Sequence, residues 1–446
     1  MSADQPFPPG FLWGAATSAY QIEGSPLADG AGTSIWHGFS HTPGAVANGD
    51  TGDLACDHYR RLYTDLDLMA ELGLSAYRFS VAWGRILPHG TGRTNARGLD
   101  FYQRLVDGLL ERGIAPMLTL YHWDLPEALE ARGGWLNPDS PRWFADYAAI
   151  LFEALDDRVG LWVTLNEPWV STVLGYLTGD HAPGRRSLHE PPLVAHHQLL
   201  AHGAAVAAYR DLGRHQIGIS LNLEPQAAAT DAPADQAAAR RRHHFINRWF
   251  LDPLLLGRYP DELAVIFGSD WPRFPLEDLQ RISAPLDFLG VNYYSRGLVR
   301  HDPTEVPLAA RRIVPTDRPC TAMDWEVYPD GLTETLVWIK ERYGDLPLYI
   351  TENGAAFDDP APGKGQLQDP RRVDYLRKHL AAAQAALEQG VDLRGYFAWS
   401  LLDNFEWAQG YAKRFGLIHV DRLTQRRTLK ASARFYREFI REAGGS

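Results

Sequence analysis

Short β-favouring apolar runs alternate along this chain with longer stretches in which apolar residues recur at helical spacing. Runs of the first kind stand at 11–16, 76–80, 115–121, 161–165, 217–221, 288–291, 348–351 and 395–399. Helical spacing fills 63–72, 99–112, 141–155, 192–212, 331–343 and 371–390 between them. Strand alternating with helix argues for a parallel sheet built from strand-helix units. Eight such units are the number that closes a barrel, so the pattern predicts an α/β fold of the (β/α)8 TIM type.

A chain of 446 residues would ordinarily suggest two or three domains, but α/β barrels run well past the usual domain size as single units. No low-complexity linker divides it, and the Ala-rich stretch 227–239 reads as helix rather than as a boundary. A single domain over 1–446 is therefore expected. The surplus over a minimal barrel lies in Gly/Pro/Asp-rich segments at 40–57, 178–192, 301–319 and 355–370. Each follows a strand, which predicts that all four rise from the C-terminal face, where barrel enzymes carry their sites.

Charge narrows the partners. With 44 basic against 55 acidic residues and no basic stripe, the chain is a poor candidate for nucleic acid or an anionic membrane. The N-terminus lacks the positive start and apolar stretch of a signal peptide, and no apolar run is long enough to span a bilayer; a cytoplasmic location is expected. Cys56 and Cys320 are the two cysteines, too few for a disulfide framework or a thiolate metal cluster.

The chemistry concentrates at the strand ends. Glu167 and Glu352 each follow a β-favouring run and precede a turn-former, Pro168 or Asn353-Gly354, which places a carboxylate on the rim of the sheet. Arg78, His122, Asn166, Asn222, Asn292, Tyr294 and Trp399 stand at or near the other strand ends, and Gln21, Glu406 and Trp407 lie just beyond strands one and eight. Carboxylates and amides hydrogen-bond hydroxyls and aromatic faces stack on ring C–H groups, so this rim suits a sugar. Cleaving a sugar acetal requires an acid at the leaving oxygen and a carboxylate facing the anomeric carbon, because the transition state is oxocarbenium-like. Arg78 and the Tyr294 hydroxyl would favour the ionised form of Glu352, while Glu167, near Trp169 and apolar walls, would hold its proton longer. Asn166, next to the acid, can reach the sugar 2-hydroxyl.

Over nearly its full length the chain resembles the family 1 glycoside hydrolases, the β-glucosidase and β-galactosidase group. The matching motifs are FLWGAATSAYQIEG at 11–24, YHWDLP at 121–126, TLNEP at 164–168, ITENG at 350–354, and WSLLDNFEW at 399–407 continuing into RFGL at 414–417. The resemblance implies a retaining β-glycosidase with Glu167 as acid/base and Glu352 as nucleophile. It implies a glycone pocket of Gln21, His122, Asn166, Tyr294, Trp399, Glu406 and Trp407, in which Gln21 and Glu406 grip hydroxyls and Trp399 is the stacking floor. Trp169, Asn222 and Trp325 resemble residues flanking the leaving-group side. Glu406 is not the Ser of the 6-phospho-glycosidase branch, which points to a neutral sugar.

No cofactor or metal is implied, and the expected partner is a small β-glycoside or oligosaccharide. Glucose against galactose or fucose stays open, as does hydrolysis against transglycosylation through the same intermediate. A non-catalytic sugar-binding barrel would have lost one of the two glutamates.

Several motifs resemble sites without their spacing. Glu224, in Asn222-Leu223-Glu224-Pro225, echoes Asn166-Glu167-Pro168 one residue out of step and would face away if the strand continued. His196-His197 and His243-His244 are adjacent rather than i, i+4. Gly30-Ala31-Gly32 and Gly363-Lys364-Gly365 lack the remaining residues of a nucleotide loop.

Overall fold

The protein is seen in a computed structural model that describes residues 7–360 and 367–443. Eight parallel strands close a barrel: β1 (Leu12–Ala16), β2 (Ala76–Ser80), β3 (Ala115–Tyr121), β4 (Leu161–Asn166), β5 (Gln216–Asn222), β6 (Phe288–Asn292), β7 (Leu348–Asn353) and β8 (Leu393–Trp399). Closure is made by β1, which pairs with β2 through Gly14↔Ala76 and with β8 through Leu12↔Gly395. The order of the strands around the barrel is their order in the chain, with helices between them, as the (β/α)8 pattern requires. Strands β4 to β7 run one or two residues past their predicted ends. Asn166, Asn222, Asn292 and Glu352 continue the ladder, because backbone pairing at a rim does not require an apolar side chain.

The inside of the barrel is packed rather than hollow. Ala16, Ala76, Met117, Val163, Phe288, Tyr349 and Phe397 form a buried cluster from seven of the strands. Gly14 makes room for it, since a Cβ there would lie 2.3 Å from the Phe397 ring. The outer faces of the strands pack on helices that include His58–Glu71, Ala96–Leu110, Ser140–Leu155, Glu190–Leu212, Asp330–Tyr343, Pro370–Glu388 and Ala431–Ala443. Pro141, Pro191 and Pro370 stand in the first turns of three of them, where a missing N–H costs nothing and the fixed φ suits the helix.

The Ala-rich stretch 227–239 is not one helix. Gln226–Ala228 is a strand that pairs in parallel with Gly297–His301, and helix begins only at Pro233. Tertiary pairing overrides the helix propensity of alanine here, and Pro233 fixes where the helix starts. Ala310–Arg312 adds a third, antiparallel strand inside the Gly/Pro/Asp-rich segment 301–319. The segments at 40–57 and 178–192 follow short helices, Ile35–Ser40 and Pro168–Thr172, instead of a strand directly. Of the segment 355–370, residues 361–366, which include Gly363-Lys364-Gly365, lie outside the described residues. No helix among the described residues is long and apolar enough to cross a membrane.

Candidate active site

Two carboxyls face one cavity from different strands and are held in different ways. Glu352, in the last turn of the β7 ladder, accepts from Arg78 Nη1 at 2.6 Å on Oε1 and from the Tyr294 hydroxyl at 2.6 Å on Oε2. Both its oxygens are therefore occupied, one by a permanent cation. Glu167, one residue past β4, accepts from Asn292 Nδ2 at 2.8 Å on Oε1. Asn292 is fixed in that orientation because its own Oδ1 accepts from Thr351 Oγ1 at 2.7 Å.

Burial raises both pKa values. For Glu167 burial acts first and the nearby charge of Glu352 second, which pushes its pKa well above the carboxylate range. For Glu352 burial is largely opposed by Arg78 and by the Tyr294 hydroxyl, so its rise is smaller. One negative charge shared by such a pair therefore rests on Glu352 and the proton on Glu167.

The backbone of Glu167 is strained, with φ of 45°. Pro168, the first residue of the helix Pro168–Thr172, disfavours right-handed helical geometry for the residue before it. Left-handed geometry at a non-glycine residue costs of order 1–3 kcal/mol and persists only where surrounding contacts impose it. Glu167 N–H donates to the Ser220 carbonyl at 2.8 Å, and Trp123 Nε1 holds the Asn166 carbonyl at 2.9 Å, so the turn is clamped on both sides.

Asn166 links the pair to the sugar-facing wall. Its Oδ1 accepts from Arg78 Nη2 at 2.6 Å and from Asn292 Nδ2 at 3.0 Å. Its Nδ2 is then the donor toward His122 Nε2, 3.0 Å away. Burial first, and the charge of Arg78 second, drive the His122 pKa well below its usual value. The ring is neutral, and with Nε2 accepting, the proton sits on Nδ1, which has no hydrogen-bond partner among the described residues. His122 lies nearly parallel to Trp399 and Trp407, at 5.8 and 5.9 Å between ring centroids.

Gln21 is fully buried behind this wall. It donates to the Phe405 carbonyl at 2.9 Å, to Asn404 Oδ1 at 3.2 Å and to Glu406 Oε2 at 3.5 Å. Burial, then repulsion from Glu352, pushes the Glu406 pKa up to about 8 against the pull of Gln21.

The cavity has a volume of about 490 Å³, and His122, Glu167, Trp169, Asn222, Asn292, Tyr294, Trp325, Glu352, Trp399, Glu406 and Trp407 line it. Arg78, Gln21 and Asn166 are buried in its wall. The structure thus brings every sequence-selected residue to one place. It adds Asp180, His181, Glu224, Arg242 and Arg312, which the sequence reading did not select. Glu224 was expected to face away if the strand continued; β5 ends at Asn222, so strand alternation does not govern its direction. Its Oε1 lies 3.9 Å from Arg312 Nη2. Asn222 Oδ1, Glu224 Oε1, Arg242 Nε and Trp169 Nε1 are buried polar atoms with no hydrogen-bond partner among the described residues.

A closed (β/α)8 barrel whose C-terminal mouth holds two unequal carboxyls among indoles and amides has the makings of a glycosidase. The chain belongs to glycosyl hydrolase family 1, whose profile matches residues 3–445. It is 51% identical over 441 residues to Beta-glucosidase A of Thermotoga maritima, covering 98% of each chain. It is 47% identical over 458 aligned positions to a bifunctional beta-D-glucosidase/beta-D-fucosidase of Bifidobacterium breve, covering 97% of this chain and 98% of that one. The solved structure of a Thermotoga maritima β-glucosidase in complex with deoxynojirimycin superposes with a TM-score of 0.95 at 48% identity, over 99% of this chain and 100% of that one.

Proposed function

We propose that this family 1 hydrolase is a retaining β-glucosidase that removes terminal non-reducing β-D-glucosyl residues, and that 1–446 acts as one catalytic domain. In the first step a Glu352 oxygen attacks the anomeric carbon as Glu167 gives its proton to the leaving oxygen, forming an α-linked glycosyl ester. In the second, Glu167, now ionised, takes a proton from water; the water oxygen attacks the same carbon and the ester to Glu352 breaks. The observation that carries this reading is the unequal support of the two carboxyls: Arg78 and Tyr294 on Glu352, Asn292 alone on Glu167.

Glu406, His122 and Trp407 form the sugar-hydroxyl side with Asn166 and Gln21 behind them, and Trp399 is the ring-stacking floor. Trp169, Asn222 and Trp325 form the leaving-group side. The unpartnered polar atoms beside Asn222 favour a hydroxyl-rich leaving group, as in a β-linked disaccharide released during polysaccharide breakdown. Galactosyl or fucosyl substrates are a second reading, favoured by the likeness to a glucosidase/fucosidase. The two free thiols suit the reducing cytoplasm. The test is a panel of aryl β-glycosides and β-linked disaccharides compared by kcat/KM. Glucosides should lead and be abolished by Glu352→Ala; activity surviving that change at the wild-type level would overturn the assignment.

A further inference from the structure

We propose that His37, His41 and Asp53 form a binding site for a divalent transition-metal ion of the zinc class, outside the sugar cavity. His37 and His41 stand four residues apart on and just after the short helix Ile35–Ser40, their rings 4.4 Å apart between centroids. Asp53, from the loop that follows, meets both: Oδ1 is 3.5 Å from His37 Nδ1 and Oδ2 is 3.0 Å from His41 Nε2. One donor atom from each of the three residues can be chosen so that all three lie within 4.8 Å of one another. Ligands bound to one zinc ion at about 2.0–2.2 Å stand roughly 3–4 Å apart, so small rotations of partly exposed side chains complete the set.

His41 is already oriented for a metal. Its Nδ1 donates to the His37 carbonyl oxygen at 2.7 Å and its Nε2 to Asp53 Oδ2 at 3.0 Å. An ion would take the place of the proton between Nε2 and Asp53, while the Nδ1 hydrogen bond goes on orienting the ligating imidazole. His37 Nδ1 is a buried nitrogen that makes no hydrogen bond among the described residues. Glu127 adds negative charge nearby: a Cβ on Gly38 would come within 3.1 Å of its Oε1. Two imidazoles and one carboxylate select zinc, copper, nickel or cobalt over magnesium and calcium. Three protein ligands leave a position for water, so the ion would exchange.

The ion would fasten the helix Ile35–Ser40 to the loop carrying Asp53. Trp36 of that helix packs 4.6 Å from Trp407 and 5.1 Å from His181, between ring centroids. None of the three ligands lines the cavity, so occupancy steadies the outer layer without entering the reaction.

The test is calorimetric titration of metal-stripped, full-length protein with Zn(II), with Co(II) absorption as a report on coordination. One equivalent should bind, with visible Co(II) bands, and should raise the melting temperature. His41→Ala and Asp53→Asn should each weaken binding at least tenfold while β-glucoside hydrolysis stays at the wild-type level. His189→Ala, which alters an exposed histidine paired with Asp270, should bind as wild type does. Absence of a stoichiometric site in the wild type, or undiminished binding in the first two variants, would overturn the proposal.

Discussion

Arg78 on β2 and Glu352 on β7 form a 2.6 Å ion pair between strands that are not neighbours in the barrel. The pair crosses the mouth and is buried at both ends, with side-chain exposures of 1% and 3%. Taking either partner away leaves an uncompensated buried charge, which costs about 3–5 kcal/mol. The same guanidinium holds Asn166, so one side chain sets the charge of one carboxyl and the position of the amide beside the other.

Glu352→Ala and Glu167→Ala should fail differently. Without Glu352 no glycosyl ester forms and all substrates are lost, while azide entering the vacated space gives an α-glycosyl azide. Without Glu167 the first step survives for dinitrophenyl glycosides, which need no protonation, and the ester accumulates as added mass on the intact protein. Azide should then speed turnover and give the β-glycosyl azide. Product configuration by NMR checks the roles; the opposite azide anomers would exchange them.

The pH–rate profile should be a bell lying above the ordinary carboxylate range, because both pKa values are raised. Its acid limb follows ionisation of Glu352 and its alkaline limb loss of the Glu167 proton. Tyr294→Phe removes a donor to ionised Glu352, so the acid limb should move to higher pH. An unmoved acid limb in kcat/KM would place that ionisation on another group.

Glu406→Ser should lower kcat/KM on neutral glucosides roughly fivefold to a hundredfold, since removing one partner of a buried hydrogen bond costs about 1–3 kcal/mol. The free enzyme offers a second readout. The Glu406 pKa rises from 4.5 to about 8 on folding, so the folded state keeps a proton that the unfolded chain loses. That contribution to stability is complete below about pH 4.5 and is lost as pH rises through about 8. Melting temperatures of Glu406→Gln should show a shallower decline between these limits than those of the wild type.

The first sugar released should be the β-anomer, by proton NMR taken before mutarotation. Double displacement inverts the anomeric carbon twice; early α-sugar would mean a single displacement by water.

Chelators should leave hydrolysis unchanged even as they strip the ion from His37, His41 and Asp53. Three of the four oxygens of Glu167 and Glu352 already accept from Arg78, Tyr294 or Asn292. A dialysed sample that needed added divalent ion for glucoside hydrolysis would contradict this.

Periodicity alone was enough for the eight strands, because each is a short β-favouring run set between helical stretches, and for Glu167 and Glu352, because a strand end is a local feature. The spacing of His37 and His41 was equally local and went unused, since nothing in the chain marks Asp53 as their neighbour. Arg78 stood out as a polar residue in an apolar strand, but that it reaches both Glu352 and Asn166 is settled by barrel closure. The long connection between β5 and β6 and the side sheet built on Gln226–Ala228 were hidden for a related reason: an Ala-rich stretch is helical until a partner strand is present.

Sequence by itself determined the barrel, the candidate carboxyl pair and the family motifs, all written in short windows where side-chain pattern and backbone preference agree. The division of charge between Glu167 and Glu352 was expected from their sequence neighbours, but the contacts that enforce it belong to the tertiary structure, because Arg78 and Glu352 meet only across the closed barrel. Tertiary structure also decided that Glu224, Arg242 and Arg312 share one wall of the cavity, since loops past strand ends follow contacts rather than periodicity.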